Sequence, residues 1–199
     1  MRTSARDSSR GGRRRTAARC CAVVSFLTRL LGKAGRSAGA GETESVRRIA
    51  ARLERLPQER ARHLAAFAYV LARVANADLR ITESETDAMQ ELVQRHAGLS
   101  AEEAALVVEI AKSQARLLGG TENYVVTREF RDVSTREERV RLLECLYAVA
   151  AADGSIESGE STEIHKIAEE LGFLREEAIA LRAAWRDKLS ALRNLPGRS

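Results

Sequence analysis

Four acidic residues pose the chemical question. Asp78 and Glu85 are separated by the same interval as Asp153 and Glu160, and each pair encloses an isoleucine, Ile81 in the first and Ile156 in the second. Paired carboxylates do two kinds of chemistry. They offer hard oxygen donors to calcium or magnesium, or they divide acid and base roles when their environments separate their pKa values. An EF-hand is excluded, because its 12-residue loop carries five or more ligating positions and each loop here offers about two carboxylates. A cation would therefore need both loops to meet across a pseudo-twofold axis. The expected metal ligands are Asp153, Glu160, Asp78 and Glu85, and the expected ion is calcium or magnesium. Each acid also has an ordinary structural use. An Asp at a helix end forms a turn, and a Glu in a first helical turn caps the amides and suits the helix dipole.

The elements that must position these acids are helical throughout. Only two prolines and few aromatics occur in 199 residues, and Ala, Leu, Glu and Arg abound, which favours helix. The predicted fold is all-α: a compact bundle of about seven helices built on two related helix, acidic loop, helix units. Val46, Ile49, Ala50 and Leu53 mark one helix that stops before Pro57. Leu64, Phe67, Ala68, Leu71, Val74 and Ala75 mark the next, which runs out at Ala77-Asp78. Thr82 with Glu85, Ser100 with Glu103 and Ser134 with Glu137 read as capping boxes. They open helices with stripes at Ala88, Met89, Leu92 and Val93, at Ala101 to Leu118, and at Leu143, Leu146, Tyr147 and Ala150. The apolar Ala101 to Leu118 segment is predicted to be the most buried. Thr121 to Val133 is read as a short helix despite the strand character of Tyr124-Val125-Val126. Ile164, Ile167, Ala168 and Leu171 define a further helix, and Ala178, Leu181, Trp185, Leu189 and Leu192 a last one ending before Pro196.

The two units repeat in register. Leu71-Ala72-Arg73-Val74-Ala75-Asn76-Ala77-Asp78-Leu79-Arg80-Ile81 lies beside Leu146-Tyr147-Ala148-Val149-Ala150-Ala151-Ala152-Asp153-Gly154-Ser155-Ile156, and the match extends to Glu85 with Glu160 and Met89 with Ile164. Internal repetition of this kind is more specific than a single motif. With Ala152-Asp153-Gly154-Ser155-Ile156 and Glu160 as its best part, the chain resembles the TerB-like proteins, over roughly Val46 to Leu189. These are named for tellurite resistance and are related to the N-terminal domain of a DnaJ-type cochaperone. The resemblance implies a helical, bacterial, non-enzymatic stress-response module that acts through protein partners in the cytoplasm, with divalent-cation binding proposed for the acidic residues. The first copy departs from the pattern, with Leu79 and Arg80 where the second has Gly154 and Ser155. Direct capture of tellurite by these loops is disfavoured, since two like charges about 4 Å apart repel by roughly 1 to 4 kcal/mol at effective dielectric constants of about 80 to 20.

Charge is segregated along the chain. Residues 1–41 hold ten Arg or Lys and one Asp, leaving 23 basic against 27 acidic residues in the remainder. The leader, residues 1–41, is expected to be a disordered Arg/Gly/Ser-rich segment, followed by a helical domain over residues 42–195. Nucleic acid is not an expected partner of the mildly acidic body, and an alternative reading places nucleic-acid association in the Arg-rich tail. Val23, Phe26, Leu27, Leu30 and Leu31 share one helical face. A surface-lying membrane helix at the inner face of the membrane, a signal peptide and a simple leader are all compatible with that face, whereas a membrane-spanning helix needs about 20 apolar residues. The histidines, His63, His96 and His165, occur on three predicted helices without ligand-spaced partners, and Cys20, Cys21 and Cys145 form no disulfide framework. No nucleophile elbow, phosphate-cradling loop or dinucleotide fingerprint is present.

Overall fold

The computed structural model describes residues 40–75, 83–115 and 123–190. The helices are α1 (Ala40–Glu54), α2 (Gln58–Val74), α3 (Glu83–Ala97), α4 (Ala101–Ala115), α5 (Asn123–Val133), α6 (Arg136–Ala150), α7 (Ser158–Glu170) and α8 (Arg175–Ala183), followed by a 3-10 turn at Arg186–Lys188. The fold is all-α, with eight α-helices among the described residues against the predicted seven or so. Residues 1–46 form one unit, of which only the start of α1 is described, and residues 47–199 form the other. Asp78, Ile81, Thr82, the side chain of Glu85, the Cys20-Cys21 pair and the apolar leader face from Val23 to Leu31 lie outside the described residues. Among the described residues no helix is long and apolar enough to cross a membrane.

Among the described residues the most enclosed element is α2, not the described part of the Ala101 to Leu118 segment, which was predicted to be the most buried. From Ala61 to Val74 every residue of α2 is buried except Arg62 and Arg73. The reason is position: α4, α5, α6 and α7 all pack against α2, so its apolar surface extends around the whole helix, as burial on all sides requires. By contrast α4 is amphipathic, burying Ala104, Leu106, Val107, Val108, Ile110 and Ala111. In α3, Val93 and Ala97 are buried while Ala88, predicted on the same stripe, is exposed.

The Tyr124-Val125-Val126 stretch is helical, as expected. Val126, Thr127 and Phe130 face inward from α5, and the Phe130 ring meets Phe67 edge-on at 5.9 Å between centroids. Two caps follow different outcomes. Ser100 and Glu103 form the predicted reciprocal box, with bonds of 3.1 and 3.2 Å. The second box sits one residue later than predicted, on Thr135 and Glu138. Both registers satisfy the spacing rule, and the observed one places Glu138 beside the buried His63.

The C-terminal helix is also shorter than predicted. It stops at Ala183, and Leu189 becomes extended to form a parallel bridge with Ile156. The Ile156 amide donates to the Lys188 carbonyl at 2.7 Å, and the Ser190 amide to the Ile156 carbonyl at 3.0 Å. A buried loop must satisfy its backbone groups, and Ile156 is 1% exposed. A continued helix would have left it without these partners.

One ionic cluster ties the two repeat units together. The Arg73 side chain of α2 is only 6% exposed. Its Nη1 donates at 2.6 Å to Glu170 Oε2 and at 2.6 Å to Thr127 Oγ1, while Nε and Nη2 donate to Glu163 Oε1 at 3.0 and 2.6 Å. Burial alone would lower the Arg73 pKa, but the hydrogen bonds to Glu170 and Glu163 outweigh it and hold it above its ordinary value. Removing one side of a buried pair leaves the other charge uncompensated, at a cost of about 3–5 kcal/mol, whereas replacing the whole set with apolar groups is often neutral. Arg73→Met should therefore lower the urea midpoint steeply. The triple variant Arg73→Met, Glu163→Leu, Glu170→Met should recover most of that loss, as equilibrium unfolding will read.

Candidate functional site

The second acidic loop is assembled from the end of α6 to the first turn of α7. The Ala151 amide closes α6 on the Tyr147 carbonyl at 2.9 Å, and the chain then turns through Gly154, whose φ of +100° is a left-handed conformation that favours glycine. Asp153 is exposed, and its Oδ1 accepts the Ser155 amide at 3.0 Å, the geometry of a side-chain-stabilised turn. Ile156 folds back into the core as predicted. Glu160 is half-buried, and its Oε2 accepts the Glu157 amide at 2.9 Å, capping one of the free amides at the start of α7.

These contacts decide what the loop can offer a cation. Partial burial raises the Glu160 pKa above its ordinary value; the Glu157 amide opposes that shift, and the charges of Asp153 and Glu157 add to it. One oxygen of Asp153 and one of Glu160 already accept backbone amides. Calcium takes six to eight oxygens, whereas magnesium is commonly held by one or two carboxylates and keeps several waters. The second loop by itself is too sparse for calcium and adequate only for a hydrated magnesium. Among the described residues no group of three or more His, Cys, Asp or Glu side chains is arranged to hold a metal. The first-copy acids, Asp78 and Glu85, cannot be placed beside Asp153 and Glu160, because they lie outside the described set.

The other chemically capable groups have structural surroundings. Cys145 is buried and its thiol pKa is pushed up to about 12 by burial, so it is protonated at neutral pH. His165 lies 3.6 Å from Glu169 on the next turn of α7. His96 approaches Trp185 at 6.1 Å between ring centroids, and Trp185 in turn stacks on Tyr147 at 6.2 Å. Sequence reasoning placed Trp185 on a helical stripe. It is instead the residue at which the chain leaves α8, turned onto Tyr147. The groups that sequence reasoning missed are Arg73, Glu163 and Glu170. Their signal was available as an Arg closing the otherwise apolar run from Leu64 to Val74 and two acids seven apart on another helix.

A family model described as tellurite resistance protein TerB matches residues 63–183, from α2 through α8. No curated protein and no solved structure matches the chain.

His63 lies at the start of the matched region and is 6% exposed. Its ring is 4.9 Å from that of Phe130, and its Nε2 is 4.0 Å from Glu138 Oε1. Burial lowers its pKa, Arg60 lowers it further, and Glu138, the Val133 backbone and Glu103 only partly counter this. With a folded pKa below the ordinary 6.5, the imidazole is neutral in the fold and the unfolded chain binds the extra proton. Stability tied to His63 is thus complete above the unfolded pKa and is lost as pH falls from about 6.5 toward the folded value. His63→Phe should flatten the dependence of the urea midpoint on pH between pH 7.5 and 5.5. An unchanged slope would mean that His63 does not carry it.

Proposed function

Because this chain belongs to the tellurite resistance protein TerB family, we propose that it is a non-enzymatic interaction module serving a bacterial response to oxyanion stress from the cytoplasm, through protein partners. The observation that carries this reading is how the charged groups of α2, at the start of the matched region and in the turn just before it, are used. Arg73 joins α2 to α5 and α7, Arg60 joins α2 to α4 through Glu103 at 2.6 Å, and Arg62 joins α2 to α5 through Glu129. Charges spent on holding helices together make a rigid scaffold, and a rigid scaffold presents a surface to a partner with little reorganisation. The chain would act on tellurite indirectly. Expression of the full chain in a tellurite-sensitive bacterial host should raise the inhibitory tellurite concentration several-fold, while the purified protein should not reduce tellurite in the presence of NADH or thiols. Turnover by the purified protein would overturn the non-enzymatic reading.

A second reading is favoured by the setting of Glu160, whose pKa is raised first by partial burial and further by the charges of Asp153 and Glu157, a repulsion that a cation would relieve. In it, a hydrated magnesium ion sits at Asp153 and Glu160, with Asp78 and Glu85 of the first copy as further donors. Calorimetric titration of magnesium and of calcium into the full chain and into the Asp153→Asn, Glu160→Gln variant tests this. Weak saturable magnesium binding lost in the variant is expected, and identical flat traces for both proteins would overturn it.

A further inference from the structure

We propose that the groove between α7 and α8 is a docking site for an acidic peptide segment of a partner protein, one that carries an aliphatic residue between two carboxylates. The proposal rests on the interaction-module reading and names its surface.

The groove encloses about 510 Å³ and is floored by Ile156 and Leu189, the two residues of the parallel bridge. One wall is a face of α7, where Ser161, Thr162, His165 and Lys166 recur at helical spacing. The other is a face of α8 made by Arg175, Ile179 and Arg182. Among the described residues no acidic side chain lines it, although residues 42–199 carry more acidic than basic residues overall. The cations of the two walls differ. On α7, Lys166 lies 3.8 Å from Glu163 and His165 lies 3.6 Å from Glu169. On α8, neither Arg175 nor Arg182 forms an ion pair among the described residues, and the Arg182 Nε is buried with no hydrogen-bond partner there. Between the two arginines, Ile179 is 51% exposed.

Spacing selects the occupant. Arg175 and Arg182 are seven residues apart on one helix, which at 1.5 Å per residue separates them by roughly 10 Å along the axis. A single small oxyanion would meet both guanidinium groups only if the two side chains folded toward each other along the helix. A peptide in the polyproline II conformation rises about 3.1 Å per residue and returns to the same face every third residue, so acids three residues apart can both face α8 and span about 9 Å, with an intervening aliphatic side chain beside Ile179. The basic leader of this same chain, with ten Arg or Lys and one Asp in residues 1–41, has the wrong charge for the groove.

The test uses the full chain and fluorescence anisotropy with a labelled peptide bearing a Glu-Ile-Leu-Glu core between Gly-Ser flanks. Its controls are the same peptide with a Gln-Ile-Leu-Gln core and a labelled ten-nucleotide oligo-dT. Binding of the acidic peptide should weaken with added salt and fall roughly tenfold for each of Arg175→Gln and Arg182→Gln, as loss of a hydrogen bond to a charged group implies. Ile179→Glu should abolish it. All three changes are at positions exposed or half-exposed, and thermal melts matching the wild type establish that the fold survives. Failure of the acidic peptide to bind, equal binding of the Gln peptide, undiminished binding by the Arg175→Gln, Arg182→Gln double variant, or preference for oligo-dT would each overturn the proposal. The tellurite-tolerance assay separates the two readings. Tolerance conferred by a chain that binds no acidic peptide overturns the groove and leaves the module reading intact. Groove-dependent peptide binding by a chain that confers no tolerance does the reverse.

Discussion

The arrangement of the body follows from a guanidinium that cannot reach bulk water. Arg73 sits on the most enclosed helix among the described residues, and a charge in that position is tolerated only if its donors are met by acceptors such as carboxylates. Glu163 and Glu170 answer that requirement together, because positions seven apart on α7 fall on the same face, two turns from each other. Thr127 supplies a further acceptor from α5. The rotation of α7 about its own axis is thereby fixed, and with it the direction of everything α7 carries. Ile164, Ile167 and Ala168 turn into the core, Glu160 is left at the exposed start of the helix, and the Ser161 to Lys166 face is turned toward α8.

The repeat explains why that single arginine has such reach. Across the two copies, α2 corresponds to α6 and α3 to α7. Each incoming helix packs against the outgoing helix of the other copy, α2 on α7 and α6 on α3. Within the second copy α6 also packs on α7, and the cross-copy contacts hold the two copies to each other. The two cross-contacts are chemically unlike. By the register that matches Asp78 to Asp153, the counterpart of Arg73 is Ala148, which is 4% exposed, and the counterparts of Glu163 and Glu170 are Ala88 and Arg95. One contact is made by packing and the other by a buried ion cluster.

Sequence periodicity was sufficient for the helices because their apolar stripes are long and their caps are chemically explicit, as at Ser100 and Glu103. It was insufficient where two solutions satisfied the same local rule. The pairs Ser134 with Glu137 and Thr135 with Glu138 share the spacing of a capping box, and only the tertiary neighbour His63 distinguishes them. Likewise Trp185 and Leu189 continue a helical stripe on paper. What ends the helix is a requirement from elsewhere, the unmet backbone of Ile156. The candidate site was legible in part for the same reason. Asp153 and Glu160 were identifiable from the repeat, but the amides they accept, from Ser155 and Glu157, follow from the turn geometry and not from the spacing of the acids.

The inequality of the copies bears on where function can reside. A repeat whose two halves were chemically equal would place any site on the pseudo-twofold axis, with ligands drawn evenly from both loops. Here the second copy is braced by the C-terminal segment, through the Ile156 and Leu189 bridge, and it has a glycine at the turn position, where the first has Leu79. That brace also forms the floor of the α7 and α8 groove, so the loop's backbone and the groove's shape depend on the same two hydrogen bonds. A ligand in the groove and a cation at Asp153 and Glu160 would consequently act on one short segment from its two sides. Ile156, Ser158 and Ser161 line the groove and Glu160 lies among them in the chain, so coupling between the two would be carried by this segment, through its backbone at the bridge or directly through the charge of Glu160.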